Sequence, residues 1–251
     1  MIIHSKGIKH YGKDSTLKIS TLYAKAKRAV EEYKMIENSD SIAVAVSGGK
    51  DSLTLLYALH GLSYFKDADF KLHAVMVDMG FDSFDPSPTE HICQKLSIPF
   101  TKIKTNLGKI IFEERREKNP CSVCATMRKG IINKTLQELG CNKIAYGHHR
   151  DDFINTMLLS LLREGRFHTM EPKFSMSRSG LTLIRPLLYV SESEIIEFTR
   201  KNDLKISKNP CPADGITDRS TVSNLVSKLK KSFPDCEERF FRAIKEANFF
   251  K

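Results

Sequence analysis

Ile42-Ala43-Val44-Ala45-Val46-Ser47-Gly48-Gly49-Lys50-Asp51-Ser52 decides how this chain is read. Five apolar residues, three of them β-branched, run into a Ser-Gly-Gly turn, as in a parallel strand buried on both faces. From about Asp51 to Tyr64 the apolar residues Leu53, Leu55, Leu56, Leu59 and Leu62 predict a helix. Between the two elements, Gly48 and Gly49 allow the backbone to approach oxygen atoms closely, and the helix start aims unpaired N–H groups at an anion. The hydroxyls of Ser47 and Ser52 can donate to phosphate and Lys50 can neutralise its charge. Asp51 cannot bind bare phosphate; its chemistry suits Mg²⁺, a hard ion satisfied by carboxylate, phosphate oxygens and water. The G-x-x-x-x-G-K-[ST] pattern of a Walker A loop is absent.

Outward from this loop, strands and helices alternate. Further strands are predicted at Leu72–Val77, Phe100–Lys104, Lys143–Tyr146 and Leu181–Ile184. Helices are predicted over 21–36, from Pro88 to Leu96, over Cys124–Leu139 with Gly140 as C-cap, and over Asp152–Leu162. A loop containing Gly165, Pro172 and Gly180 follows. Ser191-Glu192-Ser193-Glu194 has the form of a capping box and starts a helix through Arg200. Two more helical segments, about Ser220–Lys231 and Asp235–Ala247, are split by Pro234. This alternation implies an α/β fold with a parallel sheet flanked by helices on both faces. The expected division is a basic N-terminal arm and helix (1–39), a domain that carries the Ser47–Ser52 loop (40–205) and a C-terminal segment (206–251). Ligands of open α/β sheets bind beyond the carboxyl ends of strands. Two other polar strand ends therefore join the loop as candidates: Asp78, and Gly147-His148-His149-Arg150-Asp151-Asp152. One of Asp151 and Asp152 can cap the next helix, and one is expected to serve Mg²⁺ or the transferred group. His148 and His149 are not distinguished at this level.

The 251 residues carry a net charge of +10 and a pI near 9.3, a balance that favours polyanionic partners. No apolar run reaches the roughly 18–20 residues of a membrane span, and the opening residues lack a secretory core, so a cytoplasmic enzyme is expected. Of six cysteines, Cys121 and Cys124 form a Cys-x-x-Cys at a predicted helix start, and Cys211 lies between two prolines about ninety residues later. Zinc, an iron–sulfur cluster, a redox disulfide and plain packing all compete for such a pair. Cys93, Cys141 and Cys236 lack partners at ligand spacing, and burial is expected for Cys93 and Cys141.

The Ser47–Ser52 string resembles the loop of the PP-loop ATP pyrophosphatases. Taken with Cys121-x-x-Cys124, Met127-Arg128-Lys129-Gly130-Ile131, the Gly147–Asp152 string, Ile184-Arg185-Pro186-Leu187 and the distal Cys211, it looks like the TtcA family of tRNA 2-thiocytidine synthetases, in the TtcA/TtuA branch. The resemblance runs from Tyr33-Lys34-Met35-Ile36 to Cys211, roughly three-quarters of the chain, and motifs this long and ordered are specific. It implies an adenine-nucleotide α-hydrolase-like fold. It also implies Mg-ATP gripped by Ser47, Gly48, Gly49, Lys50, Asp51 and Ser52 with Asp78, Gly147, His148 and Asp152, and a 4Fe-4S cluster on Cys121, Cys124 and Cys211. Catalytic work is expected of Lys50, Asp51, Asp151 and Cys211.

The family usually has a second Cys-x-x-Cys; here Asp214 takes the place of its second cysteine. A four-cysteine zinc site is thus not available from these motifs, and three ligands leave one iron open to carry sulfide. Asp214 reads either as a weak fourth ligand or as a turn residue before Gly215, and turn preference favours the second. The implied reaction is adenylation of a base carbonyl, C2 of an anticodon-loop cytidine, followed by replacement of the oxygen by sulfur. The departure at Asp214 leaves thiolation of a uridine as an alternative. The implied partners are tRNA and a sulfur donor, either sulfide or a persulfide carrier, with a homodimer as a family expectation. A desulfidase working without ATP and a zinc-holding tRNA-binding module are the competing readings. The intact loop argues against the first, and the missing fourth ligand against the second.

Overall fold

Ile42, Ala43 and Val44 are fully buried in β1 (Asp40–Ala45), the strand from which the rest of the architecture is laid out. The computed structural model of the protein describes residues 13–65, 69–115, 120–207, 210–213, 218–247 and 250. β1 pairs in parallel with β2 (Phe70–Asp78) on one side and β4 (Lys143–Ala145) on the other. β2 pairs with β3 (Phe100–Lys104), and β4 with β6 (Leu181–Ile184), again in parallel. β5 (Lys173–Met176) closes the edge antiparallel to β6, giving the order β3-β2-β1-β4-β6-β5.

Alternation along β1 separates two cores, because successive strand residues face opposite sides of a sheet. Ile42 and Val44 pack in the larger core, which also takes the buried residues of α1 (Lys13–Glu32), α2 (Lys50–Phe65), α3 (Ser87–Lys95), α6 (Arg150–Glu164) and α7 (Glu192–Lys201). Ala43 belongs to the smaller core on the opposite face, closed by Ile132 and Leu136 of α5 (Pro120–Glu138). A short helix α4 (Leu107–Lys109) runs into a π-helical turn, Ile110–Glu114, between β3 and α5. The C-terminal helices α8 (Asp218–Ser232) and α9 (Cys236–Glu246) add Val222, Val226, Phe241 and Ile244 to the larger core beside α6. The expected sheet with helices on both faces is therefore observed.

Several boundaries differ from the sequence reading. The segment expected as a loop between Gly165 and Leu181 contains β5, and Gly180 at φ +70° turns it into β6. Only Met176 of its four residues is buried, so the strand carries almost no apolar pattern of its own. α5 begins at Pro120 instead of Cys124, as proline suits a first helical turn. α6 begins at Arg150 instead of Asp152. α1 begins at Lys13 and stops at Glu32, four residues short of the expected end, and Lys34 then adopts a left-handed φ of 45°. The lysines of residues 1–12 and Asp214 lie outside the described residues. No helix among the described residues is long and apolar enough to cross a membrane.

Candidate nucleotide and cysteine site

The turn after β1 is drawn tight by its own serines. Ser52 Oγ accepts from the Ser47 amide at 3.1 Å and donates to the Gly49 carbonyl at 3.0 Å, and the two hydroxyls lie 3.2 Å apart. Gly48 has φ +80°, and a Cβ there would also stand 2.8 Å from Ser207. Only glycine fits both demands. The Ser207 amide donates to the Gly48 carbonyl at 3.0 Å, and its hydroxyl donates to the Asp85 carbonyl. Gly147, just beyond β4, is pressed against the first turn of α2: a Cβ there would come within 2.9 Å of the Asp51 carbonyl carbon. Two strand ends thus meet at one helix start.

Charged side chains converge at that start. Lys50 Nζ lies 2.9 Å from Asp51 Oδ1 and 3.0 Å from Glu192 Oε1. Burial pulls this ammonium down, but the two carboxylates outweigh it and raise its pKa above the usual lysine value. His149, 5% exposed, sits among three carboxylates: Nε2 is 3.7 Å from Asp51 and 3.5 Å from Asp152, and Nδ1 is 3.4 Å from Asp151. Burial opposes the imidazolium, yet Asp151, Asp152 and Asp51 together raise its pKa. The contacts are ionic more than directional, since Nδ1 makes no well-formed hydrogen bond. Asp152 Oδ2 accepts the His149 amide at 3.0 Å, closing the capping box of α6. Asp151 Oδ2 accepts the Glu192 amide at 2.9 Å at the start of α7. Asp78 ends β2 with Oδ1 accepting from the Gly80 amide, a half-buried carboxylate one strand away from the loop.

His148 faces a different neighbourhood from His149. Arg185 Nε donates to its Nδ1 at 3.2 Å, and its ring lies 5.7 Å from that of Tyr146. Burial, reinforced by Arg185, Arg219 and His149, pushes its pKa down to about 3, so the ring is neutral. Arg185 is itself buried enough to drop to about 10, and its Nη1 donates to the Glu171 carbonyl. Burial raises the Tyr146 phenol, against the pull of Arg128 and Arg185.

Arg128 connects this wall to the cysteines, because it also lowers Cys124 against a rise dominated by burial. Cys211 and Cys121 raise the same thiol, so both lie within electrostatic reach of Cys124. Cys121 is exposed; Cys124 and Cys211 are half-buried. Among the described residues no three His, Cys, Asp or Glu side chains gather to hold a single metal ion. A 4Fe-4S cluster asks for something else: thiolates spread around it, each on its own iron. A thiol at Cys124 that senses two others beside a cationic residue, with Cys121 and Cys124 near the start of a helix, fits that demand. Cys93, Cys141 and Cys236 are buried away from this group, and burial raises the Cys93 thiol to about 11.

The candidate residues Ser47–Ser52, Gly147, Asp151 and Asp152 are thus brought together around the start of α2, with His148 beside them. Sequence reasoning did not single out His149, Glu192 or Ser207. The first was one of an unresolved pair, the second was hidden inside a capping box, and Ser207 stands in a stretch without any motif.

The family model described as a PP-loop domain matches residues 19–229. Among curated proteins, the chain is 38% identical to a tRNA-cytidine(32) 2-sulfurtransferase of Geobacter sulfurreducens over 220 residues, covering 86% of each chain. It is 34% identical to one of Ralstonia nicotianae, covering 89% of this chain and 72% of that one. Among solved structures, it is similar to the U34-tRNA thiolase NcsA from Methanococcus maripaludis with its [4Fe-4S] cluster, at TM-score 0.75 and 24% identity, covering 93% of this chain and 79% of that one. This last likeness bears on the fold.

Proposed function

The chain belongs to the PP-loop family and, within it, to the group of the tRNA-cytidine(32) 2-sulfurtransferases, and we propose that it uses ATP to exchange the C2 oxygen of cytidine 32 in tRNA for sulfur. One observation carries the reading most directly. The Ser207 amide donates to the Gly48 carbonyl only four positions before Cys211 in the chain, which supports a reading in which the nucleotide loop and the cysteines serve one site.

In this proposal the Ser47, Gly48, Gly49 and Ser52 turn holds the pyrophosphate half of ATP, with Asp51 on Mg²⁺ and Asp78, Gly147 and Asp152 completing the nucleotide site. Lys50 exchanges Asp51 and Glu192 for phosphate oxygens and offsets the charge that grows there. The cytidine must be unstacked, because a paired and stacked base hides its carbonyl. Its C2 oxygen attacks the α-phosphorus, the bond to the β-phosphate oxygen breaks and pyrophosphate leaves. Hydrosulfide (HS⁻) then adds at C2, the C2–O bond breaks, AMP departs and the one sulfur-bound proton is released. No electron is gained or lost. Cys121, Cys124 and Cys211 would hold a 4Fe-4S cluster, which would supply inorganic sulfide for the exchange. Asp151 keeps His149 and the start of α7 in place beside the loop. Sulfur arrives as sulfide or from a persulfide carrier, the latter with a two-electron reductant. A homodimer working in the cytoplasm is part of the same proposal, as is a division of the chain into arm (1–39), catalytic domain (40–205) and cysteine-bearing tail (206–251).

The test is a reconstituted holoenzyme given Mg-ATP, sulfide and a tRNA with cytidine at position 32, read by mass spectrometry of its nucleosides. The expected result is 2-thiocytidine with matching AMP and pyrophosphate, reduced at least about 100-fold by Lys50→Ala or by serine at Cys121, Cys124 or Cys211. Thionucleoside formed without ATP, or sulfide released from thiolated tRNA in ATP-free buffer, would overturn it.

A further inference from the structure

His148 carries a chemical choice that the proposed reaction does not explain. A guanidinium nitrogen can only donate, so the 3.2 Å bond from Arg185 Nε makes His148 Nδ1 an acceptor. A neutral imidazole whose Nδ1 accepts holds its proton on Nε2. Arg185 is in turn fixed through Nη1 on the Glu171 carbonyl, so the donor cannot easily turn away. Among the described residues Nε2 has no hydrogen-bond partner, and His148 is half-buried. The ring is neutral at ordinary pH, in keeping with this assignment.

The place of this donor is informative. Its neighbour Gly147 is against the backbone of Asp51 and Ser52 in the nucleotide loop. Its other neighbour, Tyr146, is within electrostatic reach of Arg128, which is also within reach of Cys124. A base carbonyl that is adenylated at the loop and then sulfurated from the cysteine side has to lie across this stretch. Cytosine presents an unprotonated N3 next to C2, an acceptor. Uracil presents N3–H, a donor.

We propose that His148 Nε2–H, fixed in its tautomer by Arg185, donates to N3 of the target cytosine and thereby rejects uracil, which would set two donors against each other. The inference rests on the thiolation reading above. Opposed donors leave both groups unsatisfied in a partly buried site, and sites built to hydrogen-bond one substrate discriminate strongly on that account. The same bond steadies charge that builds on N3 when sulfide adds at C2. His148 is then a specificity residue that touches the base, and Arg185 a positioning residue that acts through it.

A competition experiment tests this. The holoenzyme receives, in one tube, two tRNAs differing only in C or U at the target position, with Mg-ATP and sulfide. The ratio of 2-thiocytidine to 2-thiouridine is read by mass spectrometry; being internal, it does not depend on how much of a variant is folded. The expected wild-type ratio is on the order of 100 to 1. His148→Gln, whose amide can turn either its oxygen or its NH₂ to the base, is expected to bring the ratio within about tenfold of unity. Arg185→Ala leaves the ring but frees its tautomer, and is expected to relax the ratio in the same direction. A ratio unchanged in both variants overturns the inference, including the case in which His148 contacts phosphate and both products fall together. A wild type that thiolates both bases equally also overturns it. A wild type that makes neither product with ATP instead sinks the thiolation reading itself.

Discussion

Asp40 is the residue whose loss should be felt most outside the site. It is 3% exposed, and its carboxylate accepts from the Glu37 amide at 2.6 Å, from Lys143 Nζ at 2.7 Å and from Asn142 Nδ2 at 2.8 Å. Burial works against the charge, but these three donors outweigh it and hold the carboxyl below its usual range. A depressed folded pKa stabilises fully above the unfolded value of 3.8 and is lost as pH falls through the folded one. Asp40→Asn, by leaving the buried Lys143 only the distant, exposed Glu37 carboxylate at 4.0 Å, should destabilise the protein by about 3 kcal/mol at neutral pH. Urea unfolding at pH 7 and again below pH 4 checks this, because the gap between variant and parent should narrow in acid. Asp40 stands in no motif, for its partners Asn142 and Lys143 are about a hundred residues away in the chain. The same distance hid Ser207 and Glu192. By contrast Ser47–Ser52 and Gly147 were legible, because their chemistry depends on adjacent residues and on the strand ends that hold them.

Among the elements, those with strong internal period were legible and those shaped by a neighbour were not. β1 announces itself through an unbroken apolar run, and α2 through repeated leucines that are all buried. β5 exists only because β6 offers it an edge, which no four-residue pattern can announce. α9 shows the opposite case, a helix that lies within the expected Asp235–Ala247 segment. Phe241 and Ile244 enter the larger core, while Glu237 and Glu238 at its start bond Arg150 on α6 at 3.3 and 3.6 Å. Arg150 lies next to Asp151, so α9 steadies the helix start that faces the nucleotide loop. Phe241→Ala should cost about 3–5 kcal/mol, as for other aromatic truncations in a core. Thermal unfolding is the measure, and a loss below about 1 kcal/mol would mean that α9 is not part of the cooperative fold.

For the molecule as a whole, the surplus of ten positive charges becomes an experimental handle. Binding to tRNA through phosphate contacts releases counterions, so affinity should weaken at least about tenfold between roughly 50 and 200 mM salt. Filter binding at fixed pH checks the slope, and a flat response would show that the basic balance serves solubility alone. A second whole-molecule property comes from the smallest link described, the amide of Ser207 on the carbonyl of Gly48. Four positions later in the chain comes Cys211. If nucleotide tightens that link, the linkage is reciprocal: each ligand helps the other by the same factor. ATP is then expected to slow the stripping of iron by a chelator, and a loaded cluster to tighten ATP. Ser207→Pro, lacking the amide hydrogen, should abolish both effects together. Such an enzyme keeps its iron most firmly while it is fuelled, and a starved cell loses the metal before it loses the protein.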